Sequence, residues 1–157
     1  MNIDLLDWAT ILNNLVHIAA AYLLALPVAW NREREARGAG LRTFPLVAIA
    51  SCGYLLLAHK AFGESAEAQA RILQGLITGI GFIGGGAIIK MRQNVRGVAT
   101  AASIWTTGAI GGAVAFSRYE IAIVISLATF FTLQFMSPIK ERLDANDDDS
   151  GDETLES

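Results

Sequence analysis

The stretch from Arg71 to Phe116 constrains the fold of this chain most strongly. It reads RILQGLITGIGFIGGGAIIK, then a basic loop MRQNVRG, then VATAASIWTTGAIGGAVAF. In a water-soluble helix these glycines would be destabilising, because they free the backbone and contribute no packing surface. In lipid, small residues instead allow two helices to approach closely. The stretch therefore predicts a tightly packed transmembrane hairpin with a charged turn.

The composition also favours a membrane protein. Hydrophobic residues make up 53% of the 157 residues and charged residues only 17%, whereas soluble domains contain about 25% charged residues. The net charge of −3 is unevenly distributed, since eight acidic residues oppose two basic ones from Lys140 onward. Such an acidic run is typical of a solvated, disordered tail, and it leaves the rest of the chain mildly basic.

Five apolar segments are long enough to cross the hydrocarbon core of a bilayer. They cover residues 11–30, 44–62, 72–89, 98–116 and 121–137. The predicted fold class is therefore an all-α integral membrane protein with about five transmembrane helices. We expect residues 1–10 to form a periplasmic N-terminal segment, 11–137 the transmembrane domain, and 138–157 an acidic cytoplasmic tail.

The distribution of basic residues predicts the orientation of these spans. With the N-terminus outside, nine Lys and Arg residues lie in the inner segments and three in the outer ones. Cytoplasmic loops carry the excess of Lys and Arg in membrane proteins. The count favours a periplasmic N-terminus and a cytoplasmic C-terminus.

The glycines of the third span fall on two sides of a helix at 100° per residue. Gly75, Gly79 and Gly86 share one side, and Gly81, Gly84 and Gly85 lie broadly on the other. A helix with small residues on two sides can be approached by two neighbours, so we expect this span to be central in the bundle. The alternative is a hinge at Gly84–Gly86 that exposes backbone carbonyls, as broken helices do in transporters.

Several motifs together resemble the MgtC/SapB family of bacterial inner-membrane proteins. These are RERE followed by GLRT, then GFIGGGAII, then G-x-x-TAASIW, and the similarity covers roughly residues 31–116. The matching positions are Arg32, Glu33, Arg34, Glu35, Gly40, Leu41, Arg42, Thr43, Gly81, Phe82, Gly84, Gly86, Gly97, Thr100, Ala101, Ala102, Ser103 and Trp105. The family often has two adjacent threonines where this chain has Ala99-Thr100, so a role for that pair is not carried over.

The resemblance implies a multi-pass protein of the bacterial inner membrane with a role in magnesium homeostasis or adaptation to low magnesium. It implies a membrane-protein partner, such as the ATP synthase or a transporter, or a homo-oligomer, and no nucleic acid. No cofactor is expected, with Mg²⁺ as the one candidate ion. We expect no enzymatic activity, because the chain has no Gly-x-Ser-x-Gly motif or charged triad.

Two groups of residues are the candidates for function. The first is a cytoplasmic charged face: Arg32, Glu33, Arg34, Glu35, Arg42, Thr43, Arg92 and Arg96. These charges either set the topology and solvate a helix end, or let Glu33 and Glu35 pair with Arg92 or Arg96 or meet a hydrated Mg²⁺. The whole face is predicted to form one site.

The second group comprises candidates for helix packing or a path: Gln74, Gly75, Gly79, Gly81, Gly84, Gly85, Gly86, Thr100, Ser103 and Trp105. One hypothesis is that helices meet through the surface from Gly75 to Trp105. The alternative is a small transporter or channel between the third and fourth spans, lined by hydroxyls that otherwise bond to their own helix backbone. No Asp or Glu lies within a span, which disfavours an ion-coupled pump.

Overall fold

The computed structural model describes residues 7–35, 39–63, 65–91 and 94–152, with backbone only for Met91, Asn94 and 137–152. These residues form five helices: α1 (Trp8–Glu35), α2 (Thr43–Phe62), α3 (Ala66–Gly86), α4 (Val98–Ala115) and α5 (Tyr119–Asp152). Two short strands, β1 (Ile89–Met91) and β2 (Asn94–Arg96), pair antiparallel between α3 and α4. The all-helical fold predicted from hydropathy is confirmed, and the hairpin is an addition to it.

Four helices of the described chain are long and apolar enough to cross a membrane. They are α1, α2, α4 and the Tyr119–Met136 part of α5. The helix α3 has 21 residues, but glycine adds little apolar surface, and Gln69, Arg71 and Gln74 lower its hydropathy further. The chain is therefore a membrane protein, and α3 is not among the four helices that are apolar enough to cross.

The local sequence explains where the helices begin and end. Asp7 caps α1, since its carboxylate accepts hydrogen bonds from the Ala9 N–H at 3.1 Å and from the Thr10 hydroxyl. Pro45 lies in the first turn of α2, where its missing N–H is not needed. The helix α3 ends at Gly86 rather than at the predicted Ile89, so its end falls within the triple glycine Gly84–Gly86.

The helix α5 continues beyond the predicted end of the fifth span at Ser137. Its backbone is helical through Pro138 to Asp152, in a segment that contains good helix formers such as Glu141, Arg142 and Leu143. The acidic segment thus begins as an extension of α5. Its cytoplasmic location stays a prediction.

The helix at the centre of the bundle is α4, so the prediction that the third span is central was wrong. The helix α4 contacts all four other helices, whereas α3 makes its main contacts with α2 and α4. The reason is the direction in which the glycines face. A Cβ at Gly111 would overlap the Ala48 carbonyl of α2, and one at Gly108 would overlap the Ile80 side chain of α3. The glycines of α4 therefore allow close approach on two sides.

Candidate functional site

A buried polar cluster lies at the basic end of the bundle, where α1 ends. The guanidinium of Arg32 pairs with the Glu35 carboxylate, and Arg32 is only 5% exposed. Asn31, also buried, donates a hydrogen bond from Nδ2 to Oε1 of Gln134 on α5 at 3.2 Å and to Oε1 of Glu35 at 3.4 Å. Burial of an arginine is costly unless it is paired. The cluster therefore couples the end of α1 to α5.

Glu33 holds the chain just before α2 begins. Its carboxylate accepts a hydrogen bond from the Leu41 N–H at 2.9 Å, and a Cβ at Gly40 would overlap that carboxylate. The Gly40 carbonyl in turn accepts from the N–H groups of Thr43 and Phe44, at 3.0 and 3.1 Å. The GLRT motif thus returns the chain into α2, with Glu33 as the anchor and Gly40 as the residue that leaves room.

The predicted charged face is only partly assembled in the structure. Arg34, Arg42 and Arg96 are exposed, Thr43 is half-buried, and Arg92 lies outside the described residues. Glu33 bonds to Leu41 and forms no ion pair with Arg96 in the described part of the chain. Within the same residues there is no group of three or more His, Cys, Asp and Glu side chains that could hold a metal ion.

Three of the four hydroxyls of α4 bond to the backbone of their own helix. Ser103 Oγ donates to the Ala99 carbonyl at 2.7 Å, and Thr106 and Thr107 donate to the Ser103 carbonyl at 3.0 and 2.8 Å. Thr100 and Ser103 are buried, while Gln74 on α3 is exposed. The structure therefore does not bring Gln74, Thr100 and Ser103 together along a path.

The glycines of α3 differ sharply in their surroundings. Gly84 faces α4, where a Cβ would lie 3.2 Å from the Ala101 carbonyl oxygen. A Cβ at each of five others would meet nothing within 4 Å: Gly75, Gly79, Gly81, Gly85 and Gly86. Trp105 on α4 is 54% exposed. Among the glycines of α3, Gly84 alone packs within the described chain, and the other five face open space.

An apolar groove separates α2 from α3 on the outside of the bundle. Its volume is about 730 Å³. The α2 wall runs from Thr43 to Tyr54 and the α3 wall from Ile72 to Ile83, with Arg42 at one end. The cavity thus lies beside α3 on the α2 side, whereas the alternative transporter hypothesis places a path between α3 and α4.

Polar contacts that the sequence does not reveal join α1 to the later helices. At the end opposite the basic loops, His17 is buried, with Nδ1 2.8 Å from the Asn13 carbonyl and Nε2 3.2 Å from Ser117 Oγ. Ser126 of α5 donates to the Leu24 carbonyl of α1 at 2.6 Å. The polar residues within the spans indicate in the sequence that such contacts exist. The sequence does not identify their partners, because His17–Ser117 and Leu24–Ser126 are about a hundred residues apart.

Comparison with known proteins agrees with this architecture. The model of the MgtC family matches residues 18–142. Protein SrpB of Synechococcus elongatus is 33% identical over 152 residues, covering 89% of this chain and 82% of SrpB. The protein named "Putative magnesium transporter YhiD" of Escherichia coli K12 is 30% identical, covering 82% of this chain and 63% of YhiD. Protein MgtC of Brucella abortus is 34% identical over 77% of this chain.

The chain spans about half the length of the MgtC proteins that it matches, 51% of the Brucella abortus protein. No solved structure matches the chain. The family match includes α2, α3, α4 and the hairpin, with most of α1 and α5, and the motifs that resembled MgtC/SapB lie within it. The chain belongs to the MgtC family.

Proposed function

We propose that this chain is a non-enzymatic protein of the bacterial inner membrane that acts in magnesium homeostasis or adaptation to low magnesium. It acts through contact between α3 and a helix of a membrane partner or of a second copy. Membership of the MgtC family supports a location in a bacterial membrane. The magnesium in the proposal comes from the name of YhiD, a relative whose match covers 82% of this chain.

The observation that carries the proposal is the open side of α3. Gln74, Gly81 and Gly85 lie within about 40° of one another at 100° per residue, and all three are exposed. A Cβ at Gly81 or Gly85 would meet nothing within 4 Å. Small residues on a lipid-facing side let another helix approach closely, and an amide there gains a partner when a helix docks.

The neighbouring helix extends this open surface. On α4, four exposed residues follow each other at intervals of three and four, so they form one stripe: Val98, Ala102, Trp105 and Ala109. A large aromatic next to small residues is a common anchor at protein contacts. The contact surface proposed here therefore comprises the Gln74–Gly81–Gly85 side of α3 together with Trp105.

The proposal includes a periplasmic N-terminus, a cytoplasmic C-terminus and five spans. In that orientation the end of α1, the start of α2 and the β1–β2 hairpin lie in the cytoplasm, where basic residues are favoured. Arg32–Glu35 and Glu33–Leu41 then brace the cytoplasmic end of the bundle. These contacts support a structural part for RERE and GLRT beside the contact surface on α3.

Growth in low magnesium tests the proposal. A strain deleted for this gene should grow poorly in low-magnesium medium, and the wild-type chain should restore growth. Gly85→Leu fills the open side, where a Cβ meets nothing within 4 Å, so we expect it to accumulate in the membrane and fail to restore growth. Gly53→Leu, at another open glycine on α2, is the matched control and should restore growth. Full restoration by Gly85→Leu would contradict the contact model.

The competing function is a transporter or channel between α3 and α4. The intrahelical hydrogen bonds of Ser103, Thr106 and Thr107 support it less, because these hydroxyls are already occupied. Purified chain in liposomes with an entrapped Mg²⁺-sensitive dye separates the two functions. We expect no protein-dependent influx. Mg²⁺ influx that is abolished by Ser103→Val but retained by Gly53→Leu would contradict the contact model and establish transport as the function.

A further inference from the structure

We propose that the groove between α2 and α3 is a binding site for one anionic phospholipid. An acyl chain lies in the groove and the headgroup phosphate contacts Arg42. The site is separate from the contact surface of the proposed function, because the groove side of α3 carries Gly75 and Gly79, whereas the contact side carries Gly81 and Gly85.

The dimensions of the groove suit lipid chains. Its walls span twelve residues on each helix, from Thr43 to Tyr54 and from Ile72 to Ile83, which corresponds to a length of about 18 Å. A volume of about 730 Å³ along about 18 Å gives a mean cross-section of about 40 Å². The groove is therefore long and wide enough for an extended hydrocarbon chain.

The lining of the groove is almost entirely apolar. Gly75 and Gly79 form the recess on α3, since a Cβ at either position would meet nothing within 4 Å. Ser51 lies in the α2 wall, but its hydroxyl already donates to the Val47 carbonyl at 2.8 Å. Leu46, at the same end as Arg42, is 63% exposed. An occupant therefore gains apolar contact along the whole length of the groove.

Arg42 gives the groove its charge selectivity. It lies at the N-cap of α2, at one end of the groove, with its side chain exposed. In the part of the chain that the structure describes, Arg42 makes no ion pair, and the nearby Glu33 is held by Leu41. The Thr43 and Phe44 N–H groups bond to Gly40, so the Arg42 guanidinium is the principal donor at the mouth. A guanidinium binds phosphate oxygens in a fork.

The position of Arg42 matches the anatomy of a phospholipid. The groove runs from the end of α2 towards the middle of the helix, so a headgroup at Arg42 lies at the interface while its chain extends into the hydrocarbon layer. Lys90 and Arg96 are exposed on the hairpin that follows α3 at the same end. Basic pockets between transmembrane helices recognise anionic headgroups in this way.

Native mass spectrometry of the purified full chain tests the site, with dioleoylphosphatidylglycerol and dioleoylphosphatidylcholine as probes. We expect the first bound lipid to be phosphatidylglycerol, with about fivefold higher affinity than phosphatidylcholine. Arg42→Gln should remove that preference, whereas Arg42→Lys, which keeps the positive charge, should retain part of it. Arg34→Gln, which changes an exposed arginine outside the groove, is the control and should retain the preference.

The groove itself is tested by filling it. Gly79→Leu should weaken binding of both lipids, because its side chain occupies the recess, whereas Gly85→Leu on the contact side should not. Gly75→Leu provides an independent second variant, and circular dichroism checks that each variant is folded. Equal affinity for the two lipids in the wild-type chain would overturn the proposal. The proposal would also be overturned if Arg34→Gln lost the preference for phosphatidylglycerol as fully as Arg42→Gln does. It would be overturned as well if the chain formed a dimer that Gly79→Leu dissociates, because a second copy would then occupy the groove. A loss of lipid binding by Gly79→Leu and a loss of growth by Gly85→Leu are separate results.

Discussion

At the scale of single residues, the glycines show how one residue type can serve opposite purposes in one chain. Gly111 and Gly108 are required because neighbouring atoms occupy the space of a Cβ. Gly81 and Gly85 face open space and add nothing to packing within the chain. Glycine is a poor helix former even in a membrane protein unless close approach compensates for it. The open glycines of α3 therefore point to an interaction outside the chain.

Substitution of Gly111 tests the packing role directly. Gly111→Ala places a Cβ against the Ala48 carbonyl, and overpacking of this kind costs about 1–3 kcal/mol. We expect that loss in the free energy of unfolding, measured by titration with a denaturing detergent in mixed micelles. Gly53→Ala, where nothing lies within 4 Å, should be neutral or up to about 1 kcal/mol more stable. Equal losses at both positions would contradict the packing of α4 on α2.

The N-cap of α1 predicts a dependence on pH. The Thr10 hydroxyl, followed by the Ala9 N–H, lowers the pKa of Asp7 below its ordinary value of 3.8. Since the folded pKa is the lower one, the stabilisation is present above the unfolded pKa and is lost as the pH falls through the folded value. We expect the amide resonances of Ala9 and Thr10 in micelles to shift towards disordered values in that range. Asp7→Asn keeps an acceptor and should abolish the pH dependence.

At the scale of elements, α1 and α5 are joined by polar contacts at two levels of the bundle, one midway along the helices and one near the basic end. Ser126 bonds to the Leu24 carbonyl, and Asn31 bonds to Gln134 near the basic end. Contacts between side chains on transmembrane helices stabilise by about 0.6–2 kcal/mol. This pairing fixes the rotation of α5 against α1, which an apolar interface alone would define weakly.

A double-mutant cycle tests the Asn31–Gln134 contact. Asn31→Ala and Gln134→Ala should show a coupling energy of about 0.6–1 kcal/mol in the free energy of unfolding. Thr132 is an exposed residue of α5, the helix that carries Gln134. The matched pair Asn31→Ala and Thr132→Ala should therefore show no coupling energy. A coupling below the error of the measurement for Asn31–Gln134 would remove this contact from the account of the α1–α5 interface.

The elements themselves were largely predictable from hydropathy, and their arrangement was not. Apolar segments of about 20 residues locate the helices because the thickness of the bilayer core requires that length. Which helix is central depends on what each glycine meets, and Gly84 and Gly85 look alike in sequence although one faces Ala101 and the other faces open space. Arg32 and Glu35 were among the predicted candidates, but the burial of Arg32 and the contacts of Asn31 with Glu35 and Gln134 were not foreseen. The reason is that a charged run in the sequence suggests a solvated helix end.

At the scale of the whole molecule, the position of α3 decides the topology. Its 21 residues reach about 32 Å, which matches a hydrocarbon core of about 30 Å. If α3 crosses, the hairpin with Lys90 and Arg96 lies on the same side as Arg32–Arg42. If α3 lay along the surface, Lys90 and Arg96 would lie on the periplasmic side. The positive-inside rule expects few Lys and Arg residues there. The charge distribution therefore favours a spanning α3.

Cysteine labelling distinguishes the two arrangements in a Cys52→Ala background, which removes the single native thiol. Ser65 precedes α3, and Val95 lies in the hairpin after it, and both are exposed. With five spans, a membrane-impermeant maleimide should label Ser65→Cys in intact cells and Val95→Cys only in inverted vesicles. Arg118→Cys, between α4 and α5, should behave like Ser65→Cys. If α3 does not cross, Ser65→Cys and Val95→Cys will be labelled from one side and Arg118→Cys from the other. That result would turn the open glycine face of α3 from a lipid-buried contact surface into an interfacial one.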